Sequence, residues 1–305
     1  MHDETEYSKA FRNYLRSGID AGLEALADPD GGYIAPPSMA DQIMQGIFDL
    51  SPFRRLAAVE TILTDAMTVL DKDQPDDEEW APEVIGVTTH PLVGKRSIPV
   101  HELYAQPKAT QKLVVDSAVD IETWISGKVS EIFARKESEA FINGGGVGQP
   151  HGILPCAQRG QIAVTRSGKN GEVTPRGVID LHRSLPEKFT KRAWFIMNRS
   201  TVQSVRLLQN PAGGYLWQPG LAAGAPDTLA GVPVHVVNDM PHAARDSLSV
   251  AVGDFQAGYQ IVDRSGIRTL RDPFTDRPFV KFFTTKRVGG DVINPNAIKV
   301  MALAA

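Results

Sequence analysis

The chain has 305 residues, 42% hydrophobic and 22% charged, which supplies a buried core and is too apolar for a disordered chain. Its 32 basic and 36 acidic side chains leave a formal charge of −4, unlike proteins that grip nucleic acid through its phosphates, so tight DNA binding is not expected. Apolar runs such as Ile261-Val262 and Trp194 to Met197 fall far short of the roughly 20 residues a membrane span needs, and the opening Met-His-Asp-Glu-Thr-Glu is acidic where an export signal would be basic and then apolar.

Synthesis in the cytoplasm follows, and two lobes are expected because single cores rarely grow past about 250 residues. Cys156 is the only cysteine, which leaves no intrachain disulfide and no cysteine-based zinc site to expect; its ordinary reading is a small buried residue.

In chain order, residues 1–30 are polar, with a weak helical stretch from Tyr7 to Leu15, and read as an arm rather than a core element. The breaker cluster Asp28-Pro29-Asp30-Gly31-Gly32 leads into Tyr33-Ile34-Ala35-Pro36-Pro37, extended and poor in donors, which predicts a path over a surface. Met39, Ile43, Met44, Ile47 and Leu50 recur at helical spacing and stop at Ser51-Pro52. From Thr61 to about Leu113 the pattern is that of strands around a polar middle, Asp71 to Glu79, and predicts a long hairpin lying on a neighbouring subunit, since its few apolar positions cannot bury both faces.

The strongest helix begins at the cap Asp120 and carries Ile121, Trp124, Ile125, Val129, Ile132, Phe133, Ala140 and Phe141 on one face. At 1.5 Å per residue it is roughly 33 Å long, a spine for a small domain. Asn143-Gly144-Gly145-Gly146-Val147-Gly148-Gln149-Pro150 follows as a hinge-like loop. Beyond it Thr174-Pro175 starts a helix, Ala193 to Met197 reads as a buried strand, Ser200 to Gln209 as a helix, and Asn210 to Pro219 as a long loop with large aromatics. Short strands then recur around 232–237, 248–253, 259–263 and 280–285, which gives an α+β second lobe.

Catalytic signatures are missing from this pattern. The glycines at 144–148 close a helix, whereas a phosphate loop opens one and carries Gly-Lys-Ser/Thr. The histidines at 2, 90, 101, 151, 182, 235 and 242 are scattered without paired ligand spacing, and only His151, beside the loop, merits watching. There is no Gly-x-Ser-x-Gly elbow, and Asp76 to Glu79 lacks the spaced oxygens and turn glycine of a cation loop. No cofactor, no metal and no enzymatic activity are expected.

Five segments, in order and spacing, carry a resemblance to a known family. They are Gly31 to Pro37; Ser51-Pro52-Phe53-Arg54-Arg55-Leu56-Ala57; the spine ending Phe141-Ile142-Asn143-Gly144 and running on to Gly148-Gln149-Pro150-His151-Gly152-Ile153-Leu154; Trp194 to Asn198 with Leu216-Trp217-Gln218-Pro219 and Leu229 to Val234; and Val252-Gly253-Asp254-Phe255 with Gly258 to Arg264 and Thr285-Lys286-Arg287-Val288-Gly289-Gly290. Together they resemble the tailed-phage major capsid proteins of the Hong Kong 97-like, or Johnson, fold, phage-borne or in a phage-derived gene transfer agent. The resemblance implies an α+β chain divided into an N-terminal arm (1–37), a peripheral domain (38–60 and 105–152) with the spine at about 120–143, an extended hairpin or E-loop (61–104), an axial domain (153–255), and strands returning to the peripheral domain (256–305).

It also implies a structural protein that associates with itself into the pentamers and hexamers of a shell. That shell encloses double-stranded DNA without sequence-specific contact, with a portal, scaffold or prohead protease as assembly partners and the bacterial cytoplasm as the place of assembly. No upstream scaffolding segment is visible before the arm, which suggests a processed form or a separately encoded scaffold. Expected subunit contacts are Tyr215 and Trp217 as apolar anchors and Arg54, Arg55, Lys286 and Arg287 as charged ones; Lys72 lies near the hairpin tip, without a partner asparagine to predict a covalent crosslink. Gly31, Gly32, Gly144, Gly145, Gly146 and Gly148 are candidate hinges. An encapsulin-like nanocompartment shell packing a cargo protein is the alternative within the fold.

Overall fold

The computed structural model describes residues 2–23, 32–70, 95–115, 120–209, 212–220 and 224–304. The first half of the chain supplies helices α1 (His2–Ser17), α2 (Pro37–Leu50), α3 (Gln111–Val115) and α4 (Ile121–Asn143), with strands β1 (Tyr33–Ile34), β2 (Ala58–Ile62), β3 (Ala66–Leu70), β4 (Lys95–Pro99), β5 (His101–Ala105) and β6 (Lys108–Thr110). The second half adds α5 (Ile153–Gln158), β7 (Val164–Arg166), α6 (Pro175–Arg183), α7 (Glu187–Thr190), β8 (Trp194–Met197), α8 (Arg199–Val205), β9 (Trp217–Gln218), β10 (Thr228–Leu229), β11 (Val232–Val236), β12 (Leu248–Gly253), α9 (Phe255–Gly258), β13 (Tyr259–Asp272), β14 (Phe279–Val292) and β15 (Ile298–Ala302).

The opening helix corrects the reading of a detached arm. Phe11, Tyr14 and Leu15 fall three and four residues apart, so one stripe of α1 is apolar, and it is buried in the same core as α2 and α4. Tyr14 Oη accepts from the backbone N–H of Arg271 at 2.9 Å, and Arg271 returns a hydrogen bond to the Leu15 carbonyl at 3.1 Å, which fastens α1 to β13.

Helix α2 buries Met39, Ile43 and Ile47 as the spacing predicts, with Pro37 in its first turn, while Leu50 faces outward. It lies along α4, whose cap Asp120 accepts from the Glu122 N–H. Contact between the two is close: Ser130 Oγ donates to the Ile43 carbonyl at 3.0 Å, opposite Gly46. The buried side of α4 is less apolar than expected, since Ser126, Ser130, Glu137 and Ser138 share it with Ile125, Val129, Phe133 and Phe141.

Two sheets organise the rest. In the first, the 14-residue strands β13 and β14 pair antiparallel from Tyr259↔Val292 to Asp272↔Lys281, with a register shift between Arg264 and Arg268, and gather β1, β2, β5 and β6. These strands are far longer than the short ones predicted. Along β14 buried and half-buried residues alternate, a period of two that carries the strand through polar residues such as Thr284 and Lys286. The second sheet runs β7-β15-β12-β8-β11-β10-β9, with Phe195, Val250 and Met301 in its core.

Strand β15 corrects the last domain boundary, because Ile298–Ala302 pairs with β12 and β7 in the second sheet instead of returning to the first. Strands β3 and β4 pair from Ala66↔Pro99 to Leu70↔Lys95 as a hairpin stem, and the charged run 71–79 with Lys72 lies outside the described residues.

Candidate functional site

Four ionised side chains meet at the junction of α4 with the first sheet. Arg54, in the turn after α2, donates through Nε to Glu137 Oε2 at 2.7 Å and through both terminal nitrogens to Asp263, at 2.6 and 2.8 Å. Lys286 on β14 stands 2.6 Å from Glu137 Oε1 and 3.1 Å from Asp263 Oδ1. All four are buried, with relative exposures of 3% for Arg54, 1% for Glu137, 3% for Asp263 and 2% for Lys286. Two positive and two negative groups cancel, which makes burial tolerable.

Burial alone would raise the Asp263 pKa, but Lys286 and the forked Arg54 outweigh it and hold the carboxyl well below the usual range. Burial likewise opposes the charge on Arg54, and Glu137 and Asp263 reverse that effect and raise its pKa. The cluster binds the turn at 53–55, α4, β13 and β14 into one unit, in which Phe53 packs edge-on to Tyr259 at 5.1 Å.

This geometry corrects the expectation that Arg54 and Lys286 are subunit contacts: both are consumed inside the chain. Trp217 is corrected as well. Only 8% exposed, it packs with Val205, Leu229 and Val232, and the Arg206 guanidinium sits 5.0 Å from its ring centre. Tyr215, two residues earlier, is 59% exposed. Arg55 is exposed and donates to the Asp49 carbonyl, and Arg287 pairs with Asp65 at 3.0 Å, beside Arg264 on the same carboxylate at 2.7 Å.

The glycine loop after α4 is tied down at several points. Gly152 N–H donates to the Gly144 carbonyl at 2.8 Å, Gly145 bridges to His151, and Arg159 donates to the Gly145 carbonyl at 3.0 Å. A Cβ on Gly144 would lie 2.2 Å from the Pro150 carbonyl oxygen and 2.4 Å from that of Ala140, so glycine there serves close approach and not free hinging. Gly32, Gly146 and Gly148 have positive φ, as turns require, and Gly31 lies outside the described residues.

Sequence reasoning missed Glu137 and Asp263. The signal was present: Glu137 lies four residues from both Phe133 and Phe141 on the apolar stripe of α4, and Asp263 ends the run Ile261-Val262. A charge in a buried stripe calls for a buried partner.

The model of the phage capsid family matches residues 31–303. The chain belongs to the phage capsid family. This capsid protein is similar to the capsid of an empty GTA particle, with 37% identity, a TM-score of 0.71, and coverage of 84% of this chain and 90% of the other. It is similar to the capsid of a native GTA particle at 36% identity, again with a TM-score of 0.71, over 84% and 91% of the two chains. A Gordonia phage, Cozz, shares the fold at 15% identity and a TM-score of 0.55, over 84% and 87%.

No curated protein matches this sequence. Family and fold identify a major capsid protein, a structural shell component and not an enzyme, with the Hong Kong 97-like architecture that the five segments implied. No helix among the described residues is long and apolar enough to cross a membrane.

Proposed function

We propose that this capsid protein forms the pentamers and hexamers of a closed shell around double-stranded DNA, assembled in the bacterial cytoplasm with a portal and a scaffold or prohead protease. The similarity at 36–37% identity to capsids of GTA particles carries this reading, because it extends over 84% of this chain and 90–91% of theirs. The surface is consistent with it. Among the described residues strand β2 is paired only with β13, and Phe48 and Val59, both exposed, line one groove between α2 and β2. Apolar surface of that kind is covered when subunits meet.

DNA is confined on this reading by the wall and not gripped, in keeping with the net charge of −4. Nuclease treatment of purified particles, followed by extraction, tests it: protected double-stranded DNA is expected. Particles filled with a protein cargo and free of DNA would overturn it in favour of the encapsulin-like alternative.

A further inference from the structure

Away from the charge cluster, two side chains that follow the spine helix meet a third, 140 residues further along the chain, where the glycine loop meets the end of β14. His151 Nδ1 faces Asp291 Oδ1 at 3.5 Å. Cys156, on α5, completes a group whose ligand atoms all lie within 4.8 Å of one another. The Cys156 thiol is 1% exposed and in no disulfide.

The framework holds these groups in place. The His151 backbone is fixed on both sides: its N–H donates to the Gly290 carbonyl at 2.9 Å, and its carbonyl accepts from the buried Tyr259 hydroxyl at 2.7 Å. A Cβ on Gly146 would fall 1.4 Å from His151 Cδ2 and 1.6 Å from Nε2, so glycine at 146 is what leaves room for the imidazole and directs Nδ1 toward Asp291. Asp291 Oδ1 accepts from the Val292 N–H at 2.8 Å, which orients the carboxylate.

We propose that His151, Cys156 and Asp291 form a binding site for a divalent transition-metal ion of the zinc class, with water in the fourth position on the half-exposed His151 side. Imidazole nitrogen, thiolate sulfur and one carboxylate oxygen are a donor set for such ions and are poorly suited to magnesium or calcium, which take oxygen ligands. Tetrahedral bonds of about 2.0–2.3 Å place ligand atoms roughly 3.3–3.8 Å apart. The His151–Asp291 separation already meets that, and a side-chain rotation of about 1 Å brings in the widest pair.

Binding releases the thiol proton to solvent, and thiolate and carboxylate then neutralise the ion. Arg96 Nη1 donates to the Val292 carbonyl and lies 4.0 Å from Asp291 Oδ2, while Oδ1, which accepts the Val292 N–H, keeps a second lone pair for the metal. The ion joins the loop after α4, α5 and β14, elements separated in sequence by up to 140 residues, and so adds a second staple beside the charge cluster.

Titration of the untagged full-length protein with Co2+ tests the site. One Co2+ per chain is expected, with the visible bands of four-coordinate cobalt and a sulfur-to-cobalt charge-transfer band in the near ultraviolet. Cys156 is the sole cysteine, so that band in the unaltered protein identifies its ligand without any variant. Cys156→Ser loses the charge-transfer band, and Asp291→Asn weakens binding at least tenfold; Zn2+ displaces the cobalt and bleaches the spectrum. Folded wild-type protein that shows no charge-transfer band with Co2+, or an Asp291→Asn protein that binds as tightly as wild type, overturns the proposal.

Discussion

Arg54 holds Asp263 in a two-pronged grip, at 2.6 and 2.8 Å, across 209 residues of sequence, and its third nitrogen reaches Glu137 on the spine helix. Removing one member of a buried ion cluster leaves the others uncompensated, a loss of about 3–5 kcal/mol. Arg54→Met is therefore expected to lower the stability of unassembled subunits by that amount, measured by denaturant unfolding.

The same cluster sets an acid limit. Because the folded-state pKa of Asp263 lies below its unfolded value of about 3.9, its contribution is fully present above that value and is lost as pH falls toward the folded pKa. Unfolding free energy should decline as pH drops below about 4, with a shallower slope in Asp263→Asn. Equal slopes would show that other carboxylates dominate acid unfolding.

Two glycines near one another in sequence predict opposite signs. A Cβ on Gly127, exposed within α4, meets nothing within 4 Å, so Gly127→Ala gains about 0.8–1 kcal/mol from helix propensity. At Gly144 the added carbon strikes two backbone carbonyls, and Gly144→Ala costs about 1–3 kcal/mol. Thermal unfolding of the two variants side by side checks both.

Tyr215 and Trp217 separate assembly from folding. Trp217→Ala opens the core of the second sheet and is expected to cost the subunit about 3–5 kcal/mol. Tyr215→Ala is expected to leave the subunit within about 0.5 kcal/mol of wild type and, if the exposed ring is a shell contact, to lower particle yield or heat resistance. Unchanged particles would remove Tyr215 from the interface.

Much of the architecture was legible because its signals are local. Asp120 with the apolar stripe at 121, 125, 129, 133 and 141 marked α4, and Thr174-Pro175 marked the start of α6. The first helix was underread because its apolar stripe is short and only its tertiary contact with β13 and α4 shows it to be core. Arg54 and Lys286 look like surface cations in a linear reading, since their carboxylates come from α4 and β13 and only folding brings them together. The site proposed at Cys156 is hidden in the same way: a count of one cysteine points away from a cysteine-based zinc site, and only folding sets Asp291 beside His151 and Cys156. Residue spacing reveals a ligand set on one helix or loop, and is silent when three elements contribute one ligand each.

The most direct test of the central claim is electron microscopy of particles built from this protein. The account predicts round shells of uniform diameter, with fivefold and sixfold clusters of one subunit whose interior contains the buried Arg54–Glu137–Asp263–Lys286 cluster. Protein that stays monomeric when produced with its assembly partners, and forms no shells, would contradict it.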